Sequence, residues 1–242
     1  MIKESSNPVL NNKAFNKAAS TLDSTDVMTV NGTVQKTFLL TILVLASAMW
    51  SWTNPGSLWV MIGAIGGLIA ALVTIFKPTA APISAPIYAV LEGLFLGGIS
   101  YMYAGGEGFG GIVMQAITLT IGVLFLMLFL YTSRIIKVTE KLKMGIVAAT
   151  GAIFLMYMVN FIMSFFGAAF FTMQDTSMMA IGINLVIVGV AAFNLLIDFD
   201  FIEKAAAARA PKAMEWYGAF GLMVTLVWLY IELLRLLSRL RD

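Results

Sequence analysis

The chain contains no histidine and no cysteine. Their absence removes imidazole acid–base chemistry, Ser-His-Asp arrangements, thiol nucleophiles, disulfides and the zinc and haem sites built on those side chains. What remains for chemistry is a handful of carboxylates and one guanidinium lodged in apolar surroundings. Glu92 sits inside Tyr88-Ala-Val-Leu-Glu-Gly-Leu-Phe-Leu-Gly-Gly98, far from any chain cation in the sequence. A charged group at that depth in a lipid-spanning helix costs at least about 2.5–3.5 kcal/mol, so it calls for a reason. An unpaired carboxyl there holds a proton readily, and a cation brought near reverses the preference. Glu92 therefore fits proton or cation sensing, or a protonated group that donates a hydrogen bond between helices.

A second group gathers at the end of an apolar run. Asn194 precedes Asp198 by four residues and shares its helix face, and Asn184 lies about 40° away around the same helix. Asp200 and Glu203 follow, so Asp198-Phe-Asp-Phe-Ile-Glu203 offers hard oxygen donors suited to calcium or protons. The spacing is not that of an EF-hand loop, and a helix end that simply meets water carries aspartates too. Transient calcium at Asp198 and Glu92 is the metal expectation. Further along, Glu232 and Arg235 stand three residues apart and can pair on one helix face. Thr225, one helical segment with them, is placed to bond its own backbone or a neighbouring helix.

The elements that must position these groups follow from hydropathy. The 242 residues are 60% hydrophobic and 12% charged, with a mean hydropathy of +0.91, well above the range of water-soluble chains. Apolar runs of about 20 residues, each long enough to cross a hydrocarbon core of about 30 Å, recur at 36–53, 57–76, 84–104, 111–132, 144–166, 177–197 and 214–237. Glycines, prolines and charges separate them: Asn54-Pro55-Gly56, Lys77 to Pro82, Gly105 to Gly108, Arg134 to Lys143, Gly167 to Asp175 and Asp198 to Pro211. Lipid offers no partner for backbone amides, and the runs lack period-two alternation, so helices rather than a barrel are required. The expected fold is an all-α polytopic membrane protein of seven transmembrane helices, the last central or partly re-entrant. Gly63, Gly67 and Ala71, and again Ala89, Gly93 and Gly97, recur every fourth residue as stripes for close helix packing.

Residues 1–33 form a polar tail of mixed charge with no apolar run, unlike a secretory signal, so the expected division is a flexible cytoplasmic tail, 1–33, and a membrane domain, 34–242. With the N-terminus inside and strict alternation, twelve of the fifteen lysines and arginines fall on the cytoplasmic side, and Arg235, Arg239 and Arg241 do not. The net charge of +2 is too small and too dispersed for a nucleic-acid partner. The partners expected are the lipid bilayer and calcium or protons. No cofactor is called for. An enzyme is not expected either: Asp198 and Asp200 lie on one element rather than two facing helices, and no lysine base sits deep in a span.

Two stretches resemble the Bax-inhibitor-like (transmembrane BAX inhibitor motif) family in its bacterial branch. They are Ala85-Pro-Ile-Tyr-Ala-Val-Leu-Glu-Gly-Leu-Phe-Leu-Gly-Gly-Ile-Ser100, and the region from Asn194-Leu-Leu-Ile-Asp198 through Glu215-Trp-Tyr-Gly218 to Trp228-Leu-Tyr-Ile-Glu-Leu-Leu-Arg-Leu-Leu237. The resemblance implies a bacterial inner-membrane protein whose last helix is enclosed by six others and which works as a pH-sensitive calcium leak. It also implies a latch between an Asp ending the sixth helix and an Asp in the seventh. Asp198 matches the first, but Thr225 stands at the second, and the second segment lacks the arginine of calcium-leak members. Glu92 is the expected replacement partner. A second expectation, also from relatives, is a regulatory protein that binds a membrane-bound ATP-dependent protease through the tail.

Overall fold

A computed structural model describes residues 27–105, 111–167 and 177–241. The polar tail on which the expectation of protease binding rests lies mostly outside the described residues, as do Gly106 to Gly108 and most of the Gly167–Asp175 connection. Among the described residues seven helices are long and apolar enough to cross a membrane. They are α1 (Val30–Thr53), α2 (Ser57–Phe76), α3 (Ala81–Tyr103), α4 (Ile112–Thr132), α5 (Glu140–Ser164), α6 (Met178–Ala207) and α7 (Met214–Arg241), with a single 3-10 turn, Pro78–Ala80, ahead of α3.

Side-chain caps set several starts. Thr29, Thr139 and Ser177 each accept a hydrogen bond from the backbone N–H three residues on, satisfying one of the orphan donors of the first turn. Those of Thr29 and Thr139 start α1 and α5 several residues before their apolar runs do.

The largest departure from the hydropathy reading is at the end of α6. Asp198 does not begin a loop: the helix runs on to Ala207. Ala205-Ala206-Ala207 favours helix strongly, and the charges that break the apolar run find partners on neighbouring helices. The chain turns at Arg209, whose φ of 57 is left-handed.

Glycines bind α3 between two neighbours. Gly63 of α2 lies against the Leu91 and Phe95 backbone, while Gly93 and Gly97 of α3 lie against Val44 and Ala48 of α1. Small residues let backbones approach closely where the lipid gives no hydrophobic drive for association. α7 is the most enclosed of the seven helices and runs unbroken from Met214 to Arg241, roughly 42 Å at 1.5 Å per residue. It is central and does not turn back. It packs on α1, α3, α4 and α6, and α5 reaches it through Tyr157. α2 packs chiefly on α3.

At one end of the bundle the chain ahead of α1 is fastened to the α6–α7 turn. Val27 bridges Pro211, and the Met28 N–H donates to the Ala210 carbonyl over 2.7 Å. Met28 itself is buried in the core.

Candidate functional site

Consecutive helical residues are turned by 100°, so residues close in sequence face different neighbours. That geometry takes the acidic stretch of α6 apart. Asp198, fully buried, faces α7, where the Thr225 hydroxyl donates to its Oδ2 over 2.6 Å. Asp200 faces α5: its Oδ2 meets Lys143 Nζ at 2.6 Å and, along its own helix, Lys204 Nζ at 2.7 Å. Glu203 faces α4, receiving a hydrogen bond from the Tyr131 phenol and an ion pair with Arg134 at 3.0 Å. Among the described residues no three carboxylates converge in a way that could hold a metal ion.

Asn194 is one turn from Asp198 yet turns toward α5, donating to the Thr150 hydroxyl and the Val190 carbonyl, each at 2.9 Å. Asn184 faces α7. Its amide donates to Glu232 Oε2 at 2.9 Å and lies 3.4 Å from Arg239 Nη1 through its own oxygen. Glu232, buried, also accepts from the Tyr157 phenol of α5 at 2.7 Å, and Arg235 meets both its oxygens at 3.1 and 3.2 Å. Arg235 in turn donates to the Tyr157 oxygen at 2.6 Å. The Glu232–Arg235 pair is therefore present and is part of a three-helix network. Arg239 donates to the Ala180 carbonyl at 3.0 Å in the first turn of α6, so two of the three arginines of this helix end are taken up inside the protein.

Thr225 and Glu232 are seven residues apart, hence within roughly 20° of one another on α7 and two turns, about 10.5 Å, along it. One face of α7 thus carries two polar contacts with α6, separated by apolar side chains.

Glu92 is elsewhere. Its carboxyl is partly buried on the α2–α3 seam, against Gly67, whereas the partner position beside Asp198 is filled by Thr225. A hydroxyl thus stands where the resemblance implies a second carboxylate.

Sequence reading passes over three residues that matter to this geometry. Lys143 looks like a loop cation, yet it is 5% exposed in the first turn of α5; the Thr139 cap three residues ahead of Leu142 is the signal that puts it on a helix. Tyr157 is an ordinary aromatic in an apolar run until its hydroxyl meets Glu232. Glu215, fully buried, accepts from the Thr29 N–H and hydroxyl at 3.1 and 2.9 Å and lies 3.7 Å from both Lys36 and Lys212. Nothing local in the sequence announces that role.

No curated protein and no solved structure matches the chain. A family model described as Bax inhibitor 1 like matches residues 7–242. A match over that length, on a seven-helix bundle with Asp198 closing on α7, means that the chain belongs to the Bax inhibitor 1 like family.

Proposed function

We propose that the chain is a pH-sensitive calcium or cation leak of the bacterial cytoplasmic membrane, with its N-terminus in the cytoplasm and Asp198 as the proton-operated switch. The observation that carries the reading is the 2.6 Å bond from Thr225 to a carboxylate with no exposure to solvent. A hydrogen bond to an ionised carboxylate is roughly twice as strong as one between neutral groups. Ionised Asp198 therefore holds α6 to α7, and its protonation weakens that hold while removing the charge that would detain a passing cation. Flux rises as pH falls.

The orientation rests on the lysines and arginines of the tail, the α2–α3, α4–α5 and α6–α7 connections, all on one side under strict alternation. The exceptions support it, since Arg235 and Arg239 are engaged by Glu232, Asn184 and a helix carbonyl rather than displayed as free charge. The protein is a passage and not an enzyme in this reading: Asp198 and Asp200 face different helices and form no aspartyl pair.

Calcium flux into proteoliposomes across pH tests the proposal with wild type, Asp198→Asn and Glu92→Gln. Asp198→Asn, which mimics the protonated state, is expected to leak at all pH values, and Glu92→Gln to keep the wild-type profile if Asp198 alone is the switch. Three superimposable profiles, or no flux from wild type at any pH, overturn the reading.

A further inference from the structure

The face of α7 opposite Thr225 borders a crevice. Met223, Leu226, Val227 and Tyr230 line it from α7, and they stand about 100–200° around the helix from Thr225. Its volume is about 190 Å³, and α1, α3 and α4 supply the other walls, among them Ala48, Gly97 and Thr120. No charged side chain contributes. The hydroxyls along it are already engaged: Thr41 with the Thr37 carbonyl, Thr120 with the Ala116 carbonyl, each at 2.8 Å, and Ser100 with Tyr230 at 2.6 Å. Each of these hydroxyls thus already has a partner within the protein.

We infer that this crevice is a binding site for one hydrocarbon chain of a bilayer lipid. Its mouth lies between α1 and α4, where Leu45, Met49 and Ile121 are 49%, 62% and 47% exposed on helices of membrane-spanning length. The crevice is thus continuous with the surface that meets lipid tails, and a tail is what has access to it. An apolar cavity of this kind stays dry and takes apolar occupants. Gly97 lets the α1 backbone at Ala48 close directly onto α3, so the wall there is backbone. The occupant would press α7 from behind, on the helix whose other face bonds Asp198. This site stands independently of the ion-leak reading.

Native mass spectrometry of the intact chain, extracted from membranes into mild detergent, tests it. Wild type is expected to carry one lipid per chain. Thr120→Phe and Ala48→Leu, which fill the crevice from opposite walls, are expected to lower that occupancy about fivefold or more, while Leu119→Phe on the outer surface of α4 leaves it unchanged. Exchanging the headgroup at constant chain composition should leave occupancy the same. Absence of retained lipid in wild type, equal occupancy in all variants, or retention of a single headgroup class overturns the inference.

Discussion

Thr225 and Asp198 meet across the α6–α7 seam with a hydroxyl donor facing a carboxylate acceptor at 2.6 Å, both side chains buried. Such a pair needs no shared proton to close, because the hydroxyl supplies one. Thr225→Val removes the donor while keeping the shape, and withdrawing a partner from a buried charged acceptor costs about 1–3 kcal/mol. Thermal unfolding in detergent should register that loss, and calcium flux at neutral pH should rise several-fold. Thr225→Asp installs a second carboxylate that cannot donate unless protonated. Two such groups titrate as a unit: one shared proton closes the seam and its loss leaves two like charges, so flux of this variant is expected to rise with increasing pH, opposite to wild type.

Lys143 and Asp200 form a buried ion pair between α5 and α6. Removing one member strands the other, at about 3–5 kcal/mol for a fully isolated pair. Lys204 shares the same carboxylate oxygen, so Lys143→Met is expected to cost nearer about 2–3 kcal/mol. The double variant with Asp200→Leu should recover to within about 1 kcal/mol of wild type, since apolar replacement of both partners removes the desolvation cost. Thermal denaturation of the singles and the double closes the cycle.

Close helix approach makes a third expectation. A methyl at Gly97 meets the Ala48 backbone of α1, and one at Gly122 of α4 meets nothing within 4 Å. Gly97→Ala should therefore destabilise by about 1–3 kcal/mol through overpacking. Gly122→Ala should be neutral or gain up to about 1 kcal/mol from helix propensity. The contrast, read by thermal unfolding of the two variants side by side, separates packing from composition.

Glu215 is the acceptor for both donors of Thr29. Glu215→Ala should loosen the start of α1, raising amide hydrogen exchange over residues 28–33 about tenfold. Glu215→Gln keeps an acceptor oxygen and should show a smaller rise. Equal exchange in all three proteins would mean that the clasp does not hold the helix start.

The seven spans were legible because a run of 20 apolar residues has few alternatives in lipid, and the small-residue stripe of α3 duly packs on α1. The end of α6 was not. Hydropathy stops at Asp198, but the helix continues because Lys143 of α5, Tyr131 of α4 and Arg134 in the turn after it answer Asp200 and Glu203. Likewise the Glu232–Arg235 pair follows from spacing three, whereas the Tyr157 and Asn184 contacts that complete it depend on how α5, α6 and α7 are set against one another. Glu92 shows the same limit: its depth in a span is written in the sequence, its place on the α2–α3 seam is not.

Because Val27 and Met28 are tied to Pro211 and Ala210, and Thr29 to Glu215, the polar arm reaches the bundle at the foot of α7. A load applied anywhere ahead of Val27 is delivered first to the turn that anchors this helix. Val27 and Thr29 thus couple the start of α1 mechanically to the central strut that carries Thr225.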